Sequence, residues 1–442
     1  MSNDDDTDTV AETPSIPDEV DDVSLSVEAL SLNSRPSDLH PRFRTHLGTR
    51  SGVPLSRVPF EVEVVDSDTT LLRCSTKHKA IVREDSIASS SSSSSDTSES
   101  SEVSLSDPAS PLASDSPRRS GLLPIQPEWI LEAPRIADDF YYNLLSWSSQ
   151  DVLGVALDTT AYLWNAQTEE TLVLHIKHKR ISSLEFSLNG SILALGTETG
   201  SIELWDVETQ SILRTIGDCT SYSDVTCLSW NHHILSSGSQ DTRLWNLDVR
   251  LSKSKVMELR GQQSGLCGLK WNESGTLLAS GDSNGVLSIW DVRSKLNVLG
   301  PRTQAPKWQN NQEHLASVKA LAWCPWQPSL LASGGGISDG SVIFWDATTG
   351  EKRHSFRLGQ STQVTSIQWS PNGKDFMATL GYDGNGMVLF RYPTMEPILD
   401  CKHSHDNRVL WSALNPSREV VCTGGADGIL KFWRIWDKVR IV

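Results

Sequence analysis

The sequence predicts an all-β chain, a seven-bladed β-propeller behind a disordered N-terminal arm. Three observations carry this expectation. Composition changes abruptly between residues 120 and 129, aromatic residues recur at an even period after that point, and a step of small residues precedes each of them.

The arm comes first. Its first 34 residues contain no Lys or Arg, whereas Asp4, Asp5, Asp6, Asp8, Glu12, Asp18, Glu19, Asp21, Asp22 and Glu28 are acidic. Residues 86–120 are dominated by serine, with an unbroken run from Ser89 to Ser95. Such segments bury too little apolar surface to offset chain entropy, so residues 1–120 are expected to stay solvated. Two stretches inside them, PRFRTHLGTR at 41–50 and VPFEVEVVDSDTTLLRC at 58–74, carry the short apolar patches of segments that order on a partner.

From Trp129 onward short apolar runs alternate with Gly/Ser/Asp/Asn turns. Similar strands end in Trp164 (AYLW), Trp205 (IELW), Trp245 (TRLW), Trp290 (LSIW), Trp345 (VIFW), Phe390 (MVLF) and Trp433 (LKFW). Their spacings are 41, 40, 45, 55, 45 and 43 residues. Small-residue steps such as LSSGSQD, LASGDSNG and CTGGADG come before them. A period of about 40–45 residues with four short strands per unit is the signature of WD-repeat propeller blades. One blade cannot bury both faces of its sheet, whereas seven in a ring can. The repeats fill 127–436, leaving 437–442 as a short tail. A β-sandwich with fortuitously placed aromatics is the competing architecture.

Composition bounds the function. The formal net charge of −16 argues against non-specific binding to nucleic acid or an anionic membrane, both of which need a basic surface. The acidic N-terminus has no apolar signal-peptide core, and no run approaches the ~20 apolar residues of a membrane span. Seven cysteines without a C-x-x-C pair fit a reducing compartment, cytoplasm and nucleus.

Chemistry-bearing patterns are sparse. Cys401, His403 and His405 in CKHSH would share one strand face and could be read as metal ligands. The alternative, that His405 is a structural histidine opening the last repeat, is preferred. His175 with His178, and His232 with His233, lack a third ligand. SGGGISDG has neither the Lys nor the following helix of a phosphate loop, and no nucleophile elbow occurs. No metal, no cofactor and no enzymatic activity are therefore expected, and a protein-binding role is.

Residues 127–164, PEWILEAPRIADDFYYNLLSWSSQDVLGVALDTTAYLW, resemble the start of the propeller in the Fizzy family. The members are WD-repeat activators that recruit substrates to the anaphase-promoting complex, a ubiquitin ligase. VKALAWCPWQPSLLASGGGISDGSVIFWDATTG at 318–350, RYPTM at 391–395 and HDNRVL at 405–410 extend the resemblance across 127–436. Trp323–Gln327 (WCPWQ) is similar to the Fizzy branch rather than the Fizzy-related branch. The resemblance implies an adaptor for cell-cycle protein degradation, in mitosis or meiosis. It also implies as partners the subunits of the complex, degron-bearing substrates such as cyclins, and spindle-checkpoint proteins.

Carried over residue by residue, the resemblance places a pocket for the KEN degron at Asp139, Phe140, Gln363 and Arg408. An acid there suits the degron lysine, and Arg408 suits its glutamate. Ser283, Gly285 and Ile337 stand where the family has two asparagines and a threonine. For the destruction box, Glu132 replaces a family Asp and Gly428 replaces a family Glu, halving the acid offered to the degron arginine. Ligase docking falls to Arg42 and Phe43, the remnant of the family's C-box, with Ser56–Pro59 as a second partial match. Leu71, Leu72 and Arg73 resemble the family's Lys-Ile-Leu-Arg motif. Thr13, Ser110 and Ser116 each precede a proline, and Ser116 also has Arg118–Arg119 downstream, as cyclin-dependent kinases prefer. The alternative to ligase activation is a WD-repeat interaction scaffold that has lost it.

Overall fold

Short strands bounded by turn residues pair in the order in which they are made, so each repeat closes into its own antiparallel sheet. The structure, a computed structural model, describes residues 125–436 except 177–178, 218–222, 294–301 and 372, together with the backbone of the strand Arg73–Cys74. The expected disordered arm, its docking and phosphorylation candidates and the tail at 437–442 lie outside the described residues, Arg73 excepted.

Seven sheets form among the described residues. Blade 1 is typical: Leu145–Trp147, Val152–Leu157, Thr160–Asn165 and Thr171–His175 run from the inner strand to the outer. The aromatics named from the sequence all fall on third strands, as Trp290 does in Leu287–Asp291 and Trp433 in Ile429–Arg434. The small-residue steps fall on second strands, where the next blade comes closest. A Cβ at Gly281 would run into the Val318 carbonyl oxygen of the following inner strand.

The 55-residue spacing between Trp290 and Trp345 has a structural cause. After Leu287–Asp291 the chain leaves blade 4, and Arg302–Gln304 pairs in parallel with Lys255–Leu259, the outer strand of blade 3. It then returns to complete blade 4 with Trp308–Asn310.

Ring closure joins the two ends of the domain. Trp129–Glu132 is the outer strand of the last blade, with Trp129 opposite Phe432 and Glu132 opposite Ile429. Arg73–Cys74 adds a further strand outside it, with Arg73 opposite Glu132. The segment that follows then reaches the ring axis. Asn143 Nδ2 donates to the carbonyls of Thr226 (2.7 Å) in blade 3 and Cys267 (3.1 Å) in blade 4. From blade 5, Lys319 Nζ donates to the carbonyls of Tyr142 (2.9 Å) and Leu410 (3.1 Å). Its ammonium also lies 5.3 Å from the Phe140 ring centre and 5.4 Å from that of Trp411.

Of the aromatics expected between blades, Trp164, Trp205, Trp290, Trp345, Phe390 and Trp433 are buried, and Trp245 is only partly so. Trp290, Trp345 and Trp433 each donate Nε1–H to a second-strand hydroxyl, on Ser280 (2.9 Å), Ser333 (2.7 Å) and Thr423 (2.8 Å). Blade 3 departs from the repeat expected from the sequence: Leu247, opposite Leu235, takes the place that Trp290 takes opposite Leu278, whereas Trp245 lies two residues earlier, opposite Ser237, with no partner for its Nε1 among the described residues.

His405 behaves as a structural residue. Its Nδ1 lies 3.0 Å from Asp427 Oδ2 and its Nε2 lies 2.9 Å from the Thr423 hydroxyl. His314 repeats the arrangement in blade 5 with Asp339 (2.5 Å) and Ser333 (2.7 Å). Burial pushes the Asp339 carboxyl up, but hydrogen bonds from His314 and Ser341 outweigh it and hold the group below its ordinary value.

Candidate peptide-binding site

Near the start of the inner strands of blades 5, 6 and 7 stands a fully buried valine, the first residue of Val318–Trp323 and Val409–Leu414 and the third of Thr362–Trp369, and the residue just before it faces one rim of the ring. Val318, Val364 and Val409 are such buried positions. Ser317, Gln363 and Arg408 precede them, so residues 91 positions apart in sequence become neighbours on one face. The lead-in segment supplies the other half of this face, because ring closure carries residues 133–143 from the last blade toward the axis.

Arg408 is the centre of the arrangement. Its Nε–H donates to Asp138 Oδ1 (2.6 Å), an Nη2–H to the Asp138 carbonyl (2.9 Å) and an Nη1–H to the Tyr382 hydroxyl (3.0 Å). The guanidinium carbon stands 5.3 Å from the Tyr382 ring centre. Its side chain is only 14% exposed, whereas that of Asp138 is 51% exposed.

Gln363 lies beside it. A Cβ on Gly381 would meet Arg408 Cβ at 3.0 Å and Gln363 Oε1 at 3.1 Å, so glycine is what lets the two side chains converge. The Gln363 side-chain oxygen is buried without a hydrogen-bond partner. A hydroxyl chain continues around the rim: Tyr141 OH is 3.5 Å from Ser317 Oγ, and Ser317 Oγ–H donates to the Ser283 carbonyl (3.0 Å).

The sequence-derived residues are thus partly brought together. Gln363 and Arg408 converge. Asp139 is next to Arg408's partner but turns its Oδ1 to accept from the Tyr141 backbone N–H (2.7 Å), so the acid paired with Arg408 is Asp138. Phe140 is 5% exposed and lies beneath the face, against Lys319, as its floor. Ile337 is exposed at the same rim, on the loop after Leu330–Gly335. Sequence reasoning missed Asp138, Tyr382 and Lys319. The doubled acid at 138–139 was a visible signal, but spacing cannot pair it with a residue 270 positions away.

Glu132 and Gly428 also meet. The N–H of Ala133, which follows Glu132, donates to the Gly428 carbonyl (2.7 Å), and Glu132 is half-buried. Gly428 has φ of +75°, in the left-handed region that favours glycine. A glutamate in its place carries backbone strain, although the nearest atom to an added Cβ, the Ala133 oxygen, is 3.4 Å away.

Comparison with known proteins agrees with this architecture. The profile of the CDC20/Fizzy WD40 domain matches residues 131–433. The chain is 39% identical over 334 residues to WD repeat-containing protein slp1 of Schizosaccharomyces pombe, covering 75% of this chain and 65% of slp1. It is 40% identical over 320 residues to anaphase-promoting complex subunit cdc20 of Dictyostelium discoideum, covering 72% of this chain and 62% of that protein. It therefore spans just under two thirds of each relative. Among solved structures, a chain in the crystal structure of a mitotic checkpoint complex superposes with a TM-score of 0.66 at 40% identity, over 71% of this chain and 96% of that one. A seven-bladed ring closed by its own N-terminal strand, together with a family match across nearly all of that ring, establishes that this chain belongs to the CDC20/Fizzy family.

Proposed function

We propose that this chain is a substrate-recognition activator of the anaphase-promoting complex, capturing short degron peptides on the rim that holds Arg408 and Gln363. The observation that carries the reading is the buried, unpartnered Gln363 oxygen beside a mostly buried arginine. Buried polar groups are normally hydrogen-bonded, so an open acceptor next to a multivalent donor suits a peptide that brings both an N–H and a carboxylate. The relatives named above and the checkpoint-complex neighbour support the choice of ligase and checkpoint proteins as partners. Nothing in the proposal requires bond chemistry by the propeller. Holding a substrate near a charged ubiquitin carrier raises its effective concentration, and that suffices.

The test is a degron-dependent ubiquitination assay with the purified ligase and full-length protein. Wild type is expected to stimulate ubiquitination of a KEN-bearing substrate, and Arg408→Ala is expected to lose that stimulation while remaining folded. Absence of the ligase from pull-downs of the tagged wild type would favour the scaffold alternative. Within the same proposal, Asp substitution of Thr13, Ser110 and Ser116 adds negative charge to an arm whose docking residues include Arg42 and Arg73, and weakens ligase association. The five described cysteines are free thiols, four of them buried, which supports a cytoplasmic and nuclear setting.

A further inference from the structure

We propose that Asp138 is a built-in competitor that occupies Arg408 in the free protein, and that the ligand of this site is a peptide whose acidic side chain displaces it. The inference rests on the peptide-receptor reading above and adds a residue and a mode of control to it.

The geometry of the contact carries the argument. A carboxylate binds arginine best by accepting two parallel N–H bonds along one edge of the guanidinium. On Arg408 that edge is the Nε–Nη2 pair, and Asp138 takes both positions, with Oδ1 on Nε (2.6 Å) and its own backbone carbonyl on Nη2 (2.9 Å). The arrangement mimics a bound carboxylate with atoms of the chain itself. Tyr382 covers one face of the guanidinium and takes Nη1, which fixes the plane of the fork. A peptide carboxylate therefore cannot reach the preferred edge without moving Asp138.

The contact is also poised to open. The Asp138 side chain is half exposed, and ion pairs open to water are weakly held. Arg408 is held by its packing on Gly381 and Tyr382, so displacing Asp138 leaves the receptor arginine in place. The unpartnered Gln363 oxygen is the independent sign that the site awaits a ligand, because no partner satisfies it among the described residues.

The experiment is a two-by-two titration. A fluorescent peptide with a Lys-Glu-Asn core, and the same peptide with Glu→Gln, are titrated against full-length wild type and Asp138→Asn, with melting curves confirming that both proteins are folded. Asp138→Asn is expected to bind the Glu peptide about two- to fivefold more tightly, the scale of one exposed ion pair. It is expected to gain nothing for the Gln peptide. Any influence of Asp138 on the peptide lysine appears equally with both peptides and cancels in the comparison. Unchanged or weakened binding of the Glu peptide by Asp138→Asn, with wild type binding normally, overturns the competitor role and leaves the receptor reading intact. No binding of either peptide by either protein overturns the receptor reading itself, and this inference with it.

Discussion

Replacing Trp290 by alanine tests the physical basis of the ring. Trp290 is fully buried, and it lies in a cluster with Leu244, Leu259 and Leu266 of blade 3 and the start of blade 4. A tryptophan side chain buries about 200–250 Å², which at ~25 cal/mol per Å² amounts to roughly 5–6 kcal/mol as an upper bound. The lost Nε1–H bond to Ser280 subtracts little more, because Ser280 Oγ keeps the Nε2–H of Gln262 (2.6 Å). Partial collapse of the cavity returns some of this, giving an expected loss of about 3–5 kcal/mol. Trp245 is the internal control. It lies on the corresponding third strand two residues earlier, opposite Ser237, and is partly exposed with its Nε1 unpartnered among the described residues, so Trp245→Ala should cost at least ~2 kcal/mol less. Urea denaturation followed by intrinsic fluorescence of both variants reads the difference directly. Equal losses at the two sites would refute the argument that burial sets the contribution of each tryptophan.

Three other outcomes are expected. Burial pushes the Lys319 ammonium down to about 7, so between that pH and about 10 the unfolded chain binds a proton that the fold does not. The stability of wild type relative to Lys319→Met should therefore rise with pH across this window, and a flat difference in urea midpoints at pH 7, 8 and 9 would contradict it. The lowered Asp339 carboxyl stabilises the fold above its unfolded value of about 4, and that contribution is lost as pH falls through the folded value. Asp339→Asn should thus be less stable at pH 7 and show a shallower acid limb, measured by melting temperature from pH 7 to pH 3. Gly428→Glu should cost about 1 kcal/mol through its left-handed backbone, yet bind a destruction-box peptide more tightly by adding a carboxylate near Glu132. Unchanged peptide affinity would remove that edge from the list of degron contacts.

Much of this protein was legible in the order of its residues. Period, small-residue steps and strand-ending aromatics are local properties, and they determined the repeat, the number of blades and the strand on which each tryptophan lies. The motifs at 127–164, 318–350 and 405–410 pointed to the family, and with it to Gln363 and Arg408. Tertiary structure decided what local pattern cannot encode. Ring closure places Trp129–Glu132 against Ile429–Arg434 and so sets Asp138, rather than Asp139, on Arg408. Strand pairing in blade 3 sets Leu247, rather than Trp245, at the place that Trp290 takes in blade 4. Phe140 counts as a pocket residue by motif alone, but the lead-in segment passes over Lys319 and presses its ring into the floor. In each case the deciding neighbour comes from another strand or from another blade. Sequence periodicity fixes which face of a strand a side chain takes, and only closure of the ring fixes what it meets there.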